Sequence, residues 1–382
     1  MKNISSGRFY NKLYGKKEHY PWKGQVELTY RCNLNCVHCY CKGIEEYASR
    51  CTPNTGNQEL TTREWEEILD EIHKQGCLWL CFTGGEPLLR DDFLEIYSYA
   101  KKKGFVITIF TNGLLLTGKI VDYLEKSPPE SIEITLNGIT EPVYERITQV
   151  KGSFKRVMSV IKELTVRKLP LILKSNCLKQ NKDEIVRIKA FTDKLLGKPH
   201  EMKATPISRG KGNKTWRFKY DPMIYARLNG DTTPCDYRLS PGELLESKKS
   251  DPEIWQEYER GLCGKFPDLG RDKEFLYRCN AWFTQFFINP YGRLKFCQFS
   301  EKFSVDLKKQ PFREGFYNVF PQLLNEKFKT GSKCKDCSLR PICYHCPARA
   351  FLETGDEEAP VPYFCELAKA TAEQMGVKLL NC

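Results

Sequence analysis

From Gln25 to about Pro206 short apolar runs alternate with amphipathic stretches of helical period. The runs are Val26–Tyr30, Leu78–Thr83, Val106–Thr111, Ser131–Leu136, Leu171–Asn176 and Glu201–Thr205. Each is rich in β-branched or aromatic residues, which predicts strands covered on both faces. Between them Trp65, Ile68, Leu69 and Ile72 fall on one helical face, and Phe93, Ile96, Tyr97 and Ala100 on another. Phe154, Val157, Ile161 and Leu164 make a third, with Ser153 as its cap. Six strand–helix units predict an α/β fold with a parallel sheet, doubly wound or curved into a partial barrel.

The pattern dissolves after Pro206. Residues 207–278 are polar and read as a bridge with some helix; residues 1–24 read as an N-terminal extension. From Cys279 the chain is cysteine-dense and turn-rich. Gln285–Ile288, the turn Asn289-Pro290-Tyr291-Gly292, and Arg293–Cys297 predict a β-hairpin. So little of 279–382 can build an apolar core that a small metal-stapled domain is expected there.

Composition narrows the class. With 41% hydrophobic and 28% charged residues in 382, the chain is an ordinary globular protein, long enough for a sizeable core. Its longest apolar runs, such as Cys77–Phe82, are too short to span a bilayer, and the N-terminus lacks a secretory apolar stretch. Eighteen cysteines stand against 5 histidines. Without a signal peptide the expected compartment is reducing and cytoplasmic, where cysteine clusters bind metal more often than they form disulfides. The formal charge of +12 permits an acidic partner, but thiolate-bound iron clusters would cancel part of it, so nucleic acid is not the expected partner.

Directly after the first strand, Cys32-x3-Cys36-x2-Cys39 places three soft ligands on one loop. A three-cysteine iron–sulfur site leaves one iron open to a cofactor or substrate; alternatively Cys41 or His38 completes a zinc site. With Tyr40 following, this loop resembles the signature of the radical S-adenosylmethionine (SAM) enzymes, and further segments agree in the family's order. Thr83-Gly84-Gly85-Glu86-Pro87 is similar to the segment that binds the SAM amino group. The glycines would let backbone approach a ligand, and the Glu86 carboxylate would suit an ammonium. Thr111-Asn112-Gly113 ends strand three. Thr135-Leu136-Asn137-Gly138 ends strand four, with Asn137 where relatives often carry Asp. The resemblance places Arg146 near the SAM carboxylate, and Lys174-Ser175-Asn176 near its ribose or carboxylate. All but Arg146 close a strand, at the sheet end where barrels and open α/β folds carry their sites. The fold implied is a partial (β/α)6 barrel over residues 25–206.

The tail carries Cys279-x12-Gly292-x4-Cys297, then Cys334-x2-Cys337-x5-Cys343-x2-Cys346 and Cys365. The compact block alone reads as a zinc ribbon, but seven cysteines suit two iron–sulfur clusters better than one zinc. The tail resembles the SPASM domain, the auxiliary-cluster extension of peptide-modifying radical SAM enzymes. By that resemblance Cys334, Cys337, Cys343 and Cys365 hold an outer [4Fe-4S] cluster, and Cys279, Cys297 and Cys346 an inner one. A fourth inner ligand comes from upstream, Cys263 before Cys235, or is absent. Relatives have three residues in the gap that Tyr344-His345 fill here. Cys41, Cys51, Cys77, Cys81, Cys177 and Cys382 read as structural, with Cys81 a small hydrophobe in a buried strand.

The resemblance implies reductive cleavage of SAM to a 5′-deoxyadenosyl radical that takes hydrogen from a substrate carbon, using three [4Fe-4S] clusters in all. The implied substrate is a ribosomally made precursor peptide, to be given a thioether, carbon–carbon link or backbone change. A flavodoxin or ferredoxin would donate the electron. A separate protein could bind the peptide leader, since the 24 residues before strand one are too few for such a module. The bridge Trp216–Tyr220 could hold an extended acidic peptide or simply pack on the barrel. A sulfatase-type maturase is marked down by Gln298, where relatives carry a catalytic Asp after the cysteine matching Cys297. A haem-pathway enzyme is marked down by Tyr40, where its relatives favour Arg. A zinc-binding interaction module is the alternative outside enzymes, and no side chain declares itself the catalytic acid or base.

Overall fold

Burial alternates along β-rich segments such as Val106–Thr111 and Leu171–Asn176 in the centre of the chain. A computed structural model describes residues 19–44, 58–197, 218–221, 223–252, 255–256, 258–259, 273–279 and 281–375. Its strands are β1 Lys23–Glu27, β2 Trp79–Thr83, β3 Val106–Thr111, β4 Ser131–Thr135, β5 Leu171–Asn176 and β6 Phe218–Asp221, all parallel. Val26, Leu80, Phe82, Ile107, Ile109, Ile132, Ile134, Leu171 and Leu173 are sealed from solvent on one face. The residues between them, such as Gln25, Cys81, Phe110 and Lys174, are only partly buried. The sheet therefore has one apolar face under helices and one mixed face on a cavity, rather than two covered faces.

Helices α1 (Thr62–Lys74), α2 (Phe93–Lys102), α3 (Gly118–Lys126), α4 (Glu141–Thr148), α5 (Ser153–Val166) and α6 (Ile185–Leu196) accompany the sheet. The expected faces form: α1 buries Trp65, Ile68, Leu69 and Ile72, and α2 buries Phe93, Ile96, Tyr97 and Ala100. Thr61 and Glu64 make a reciprocal cap on α1. At α5 the cap residue is Gly152 in the left-handed region, not Ser153, whose hydroxyl bonds the Val150 carbonyl at 2.6 Å.

Two expectations change at the sheet edges. The sixth parallel strand is Phe218–Asp221, within the stretch read as a bridge, while Glu201–Thr205, Trp216 and Arg217 lie outside the described residues. The tail hairpin forms, β7 Gln285–Ile288 with β8 Arg293–Lys295, but β7 also pairs in parallel with β1. With β9 Val305–Asp306 the result is one nine-stranded sheet in the order β6-β5-β4-β3-β2-β1-β7-β8-β9. The tail thus extends the barrel sheet instead of standing apart from it.

Helix α7 (Pro241–Lys249) in the bridge is capped by Ser240 and Glu243. Helices α8 (Pro347–Thr354) and α9 (Pro362–Met375) are the last elements among the described residues. Arg238, just before α7, donates to both carboxylate oxygens of Glu353 on α8, at 2.8 and 2.7 Å. Among the described residues no helix is long and apolar enough to cross a membrane.

Candidate active site

The loop after β1 is pinned before it presents any chemistry. The Asn35 and Val37 amides donate to the carbonyls of Thr148 and Ile147 at the end of α4, each at 3.0 Å. The turn between them exposes Cys32 and leaves Cys36 and Cys39 half-buried. Burial pushes the Cys32 thiol up to about 11 and Cys36 higher still. Cys39 is drawn down to about 7, chiefly by a hydrogen bond from the buried Cys41 thiol. The Leu34 amide donates to Cys32 Sγ at 3.4 Å and the Asn112 side chain reaches it at 3.8 Å. Three soft donors with supporting N–H groups, two of them held half-buried by the backbone, suit an iron–sulfur cluster. Of the two alternative zinc ligands, His38 has its Nε2 3.4 Å from the Asn137 side chain, and Cys41 lies under Cys39.

The turn Gly84-Gly85 is tight for a reason within the protein. A Cβ on Gly84 would lie 2.1 Å from the Thr29 carbonyl oxygen, and one on Gly85 2.3 Å from that of Arg31. Gly84 also has φ +143°, a region L side chains rarely adopt. The Gly85 and Glu86 amides donate to Thr29 and Arg31 at 2.7 and 2.8 Å, so the turn clasps the chain leading into the cysteine loop. Glu86 is sealed beneath it. Its carboxylate accepts from Thr111 Oγ1 and the Asn112 amide, both at 2.7 Å, and from the Leu88 amide at 3.2 Å. Burial nevertheless pushes it up to about 7. In this arrangement Glu86 staples β2 to β3, and the glycines, not the carboxylate, line the cavity.

That cavity, about 580 Å³, lies over the mixed face of the sheet. Cys32, Cys36, Cys39, Gly84, Gly85 and Asn112 border it, as do Asn137, Lys174, Ser175 and Asn176. Asn137 is buried and accepts from the Asn176 amide at 2.8 Å, fixing the ends of β4 and β5 to each other. The Lys174 ammonium sits 3.2 Å over the Phe110 ring and 3.8 Å from Glu133, and burial lowers its pKa. Lys219 pairs with the same Glu133. Arg146 is not brought in: it is exposed on α4 and donates to the Gln180 carbonyl at 3.3 Å.

Several wall residues were not singled out from the sequence: Asp221, Tyr225 and Gln25, while His38 was named only as an alternative zinc ligand, Lys219 only within the bridge, and Gln298 only as a departure from Asp. The signal for Lys219 and Asp221 is strand parity, since they alternate with Phe218 as Lys174 and Asn176 do with Leu173. Gln298 comes from the far end of the chain and accepts from the Gln25 side chain at 2.9 Å. Cys81, on the same face, has Lys174, Glu133 and Lys219 as electrostatic neighbours and is no simple hydrophobe.

The tail cysteines fall into two neighbourhoods. Cys343 is influenced by Cys365, Cys334 and Cys337. Cys297, pushed up to about 12 by burial, is influenced by Cys346 and Cys279. Cys235 packs near the second set, but its strongest charged neighbours are Arg238 and Glu353. Cys263, Cys51 and Cys382 lie outside the described residues. Among the described residues no three or more of His, Cys, Asp and Glu converge to hold a single metal ion.

Comparison with known proteins agrees with this geometry. The profile of the Radical SAM superfamily matches residues 26–191. The AdoMet-dependent heme synthase of Methanosarcina barkeri is 27% identical over 354 residues, 88% of this chain and 94% of the synthase. The PqqA peptide cyclase of Ruegeria pomeroyi is 33% identical over 162 residues, 42% of this chain and 41% of the cyclase. In fold, the chain is similar to Streptococcus suis SuiB bound to its precursor peptide SuiA, with TM-score 0.61, 16% identity, and 92% and 78% of the two chains covered. It is likewise similar to anSMEcpe bound to AdoMet and a Kp18Cys peptide, with TM-score 0.64, 16% identity, and 94% and 98% covered. A three-cysteine loop over an α/β cavity, the superfamily profile and a relative spanning most of the chain lead to one conclusion: residues 26–191 are a radical SAM domain, and the chain is a radical SAM enzyme working with SAM and a [4Fe-4S] cluster.

Proposed function

We propose that this enzyme modifies a ribosomally made precursor peptide by hydrogen abstraction, and that its tail carries two auxiliary [4Fe-4S] clusters. The supporting observation is the cavity. It is bordered by the three-cysteine loop and by Gln298, the residue after Cys297, so the SAM loop and the turn that carries one inner tail thiol flank one space. About 580 Å³ is the room of one drug-sized ligand. With SAM inside, what is left suits a single side chain entering from the mouth, as an extended peptide would offer.

When bound at Cys32, Cys36 and Cys39, cluster and SAM supply the 5′-deoxyadenosyl radical. The chain's own residues hold and orient. Gly84 and Gly85 present backbone to SAM, Asn112, Asn137, Ser175 and Asn176 offer hydrogen bonds, and Lys174 offers an ammonium to a carboxylate. Glu86 acts by holding Asn112 in place. Cys334, Cys337, Cys343 and Cys365 would hold the outer cluster, and Cys279, Cys297 and Cys346 the inner one. Gln298 is an amide and offers no base beside Cys297, which argues against sulfatase-type oxidation. A flavodoxin or ferredoxin would supply the electron, and a separate protein could present the peptide leader.

One observation favours a second reading. The heme synthase matches nearly its whole length, whereas the peptide cyclase matches about two fifths of each chain. A tetrapyrrole carrying propionates is therefore the competing substrate. Anaerobically reconstituted enzyme, given SAM and reductant, should remove two hydrogens from a synthetic peptide encoded beside its gene, read by mass spectrometry. A propionate-bearing iron porphyrin that binds with a shifted visible band and loses carbon dioxide, while no such peptide changes mass, would replace the peptide reading.

A further inference from the structure

We infer that Arg349 is the charge that sets the reduction potential of the inner auxiliary cluster. The inference rests on the proposed tail clusters and assigns a role within them to a residue that is not among their proposed ligands.

Arg349 lies three residues after Cys346, which is the N-cap of α8. That spacing puts the guanidinium on the same side of the helix as the thiol, about one turn on. It is clamped from across the fold. The guanidinium carbon lies 4.3 Å from the centre of the Tyr225 ring and 5.6 Å from that of Phe299, and the two rings are 4.7 Å apart. Phe299 belongs to the turn carrying Cys297, and its amide donates to Cys297 Sγ at 3.5 Å. Arg349 is thus held between the helix that starts at one inner thiol and the turn that carries another. Cys346 and Cys297 are among its strongest electrostatic neighbours.

Among the described residues the cation has no carboxylate in ion-pair contact. Nearby buried cations have carboxylate partners: Arg238 has Glu353 at 2.7 Å, and Lys295 has Glu301 at 2.7 Å. Among the described residues Arg349 makes no ion pair, and its Nε is buried without a hydrogen-bond acceptor. A buried donor left unmet is costly unless something accepts from it. Thiolates and cluster sulfides are anionic acceptors, and hydrogen bonds to the sulfurs are a lever on cluster potential. Reducing a cluster adds negative charge, so a fixed cation beside it favours the reduced form. Asp221, on the cavity wall, is also an electrostatic neighbour, which puts Arg349 between the inner thiols and the substrate space.

The role is one of tuning, since Arg349 is not among the cavity-lining residues. The test uses the full chain with Cys32→Ala, Cys36→Ala and Cys39→Ala, so that only auxiliary clusters remain, and compares Arg349→Gln with Arg349→Lys by iron count and EPR-monitored redox titration. About 8 irons are expected in the parent, and a lower count there would fail the two-cluster reading itself, separately from this inference. Arg349→Gln should lower the equilibrium constant for reducing one cluster about tenfold, 59 mV for a one-electron step, with the other cluster unmoved. Arg349→Lys should stay near the parent. Loss of about 4 irons in Arg349→Gln but not in Arg349→Lys would also support a charge holding the thiolates. Equal shifts in both variants, no shift in either, or iron loss from both would overturn it.

Discussion

Between Lys23 and Leu196 each strand sets an apolar row against a helix face, and Val26, Phe82, Ile109, Ile134 and Leu173 are sealed within that packing. Between Glu326 and Cys346 there is no helix or strand, and Ile342 is only partly buried. The second stretch is held by polar contacts. Glu358 accepts from the Lys329 and Thr330 amides, Arg340 donates to the Phe275 carbonyl at 2.7 Å, and His345 meets the Ala359 carbonyl at 3.0 Å. The first region holds its shape by hydrophobic burial and can offer its loop ends to a cofactor. The second has less apolar surface to order itself, so the clusters proposed for its thiols would supply folding free energy there.

The largest effect should come from stripping the metal. Chelating iron from the reconstituted enzyme, or replacing Cys343 by Ala, should speed amide exchange across residues 326–346 by at least about tenfold, leaving β1–β5 protected. Hydrogen exchange with peptide-level readout decides it. Uniform protection in both forms would mean that the polar contacts suffice and that the two regions do not differ as argued.

Within the sheet region the corresponding weak point is a turn. Gly85→Ala places a methyl 2.3 Å from one carbonyl oxygen and 2.5 Å from another, both backbone and unable to swing aside. The expected loss is about 3–4 kcal/mol in denaturant unfolding, by the strain mechanism. Iron at the Cys32 loop should fall with it, because the turn's amides grip that loop. A stable variant with full iron would show that the clasp is dispensable.

A third effect depends on pH. Glu86 is about 7 in the folded chain against about 4.3 when unfolded. Its folded pKa is raised, so the stability it contributes is present below about 4.3 and lost as pH rises through about 7. SAM-free protein should lose about 2–3 kcal/mol between pH 5 and pH 8 from this group. Glu86→Gln should remove that slope, and an unchanged slope in the variant would mean that other groups control it.

The same contrast governs what could be read from the chain. Helix faces such as Trp65, Ile68, Leu69 and Ile72 were legible because a buried stripe leaves its period in the sequence. Strand β6 was not, because four residues carry only Phe218 and Tyr220 on its apolar side, and Lys219 and Asp221 made the segment look like a polar bridge. The Cys32, Gly84, Asn112 and Asn137 positions were legible as loop motifs following strands. Gln298 and Tyr225 were invisible as wall residues, since only the parallel pairing of β7 with β1 and the packing of Tyr225 on Phe299 carry them to the cavity. Arg146 shows the reverse, with the right motif on a helix face that points away.

The smallest effect compares cysteine with cysteine. Cys77, just before β2, is 4% exposed, and its thiol lies 3.4 Å from the Trp79 carbonyl and 3.8 Å from that of Trp22. Burial pushes its pKa up, which keeps it protonated, unreactive and a poor ligand. It fills space in the core beneath the sheet. Cys77→Ala should therefore cost only about 1 kcal/mol, the loss of one buried sulfur, with the iron content unchanged. Cys343→Ala, made in parallel, should cost one cluster, about 4 irons. If Cys77→Ala also lost iron, a sheet thiol would be acting as a ligand. The division between a region ordered by burial and a region ordered by metal would then fail at the residue type on which it depends.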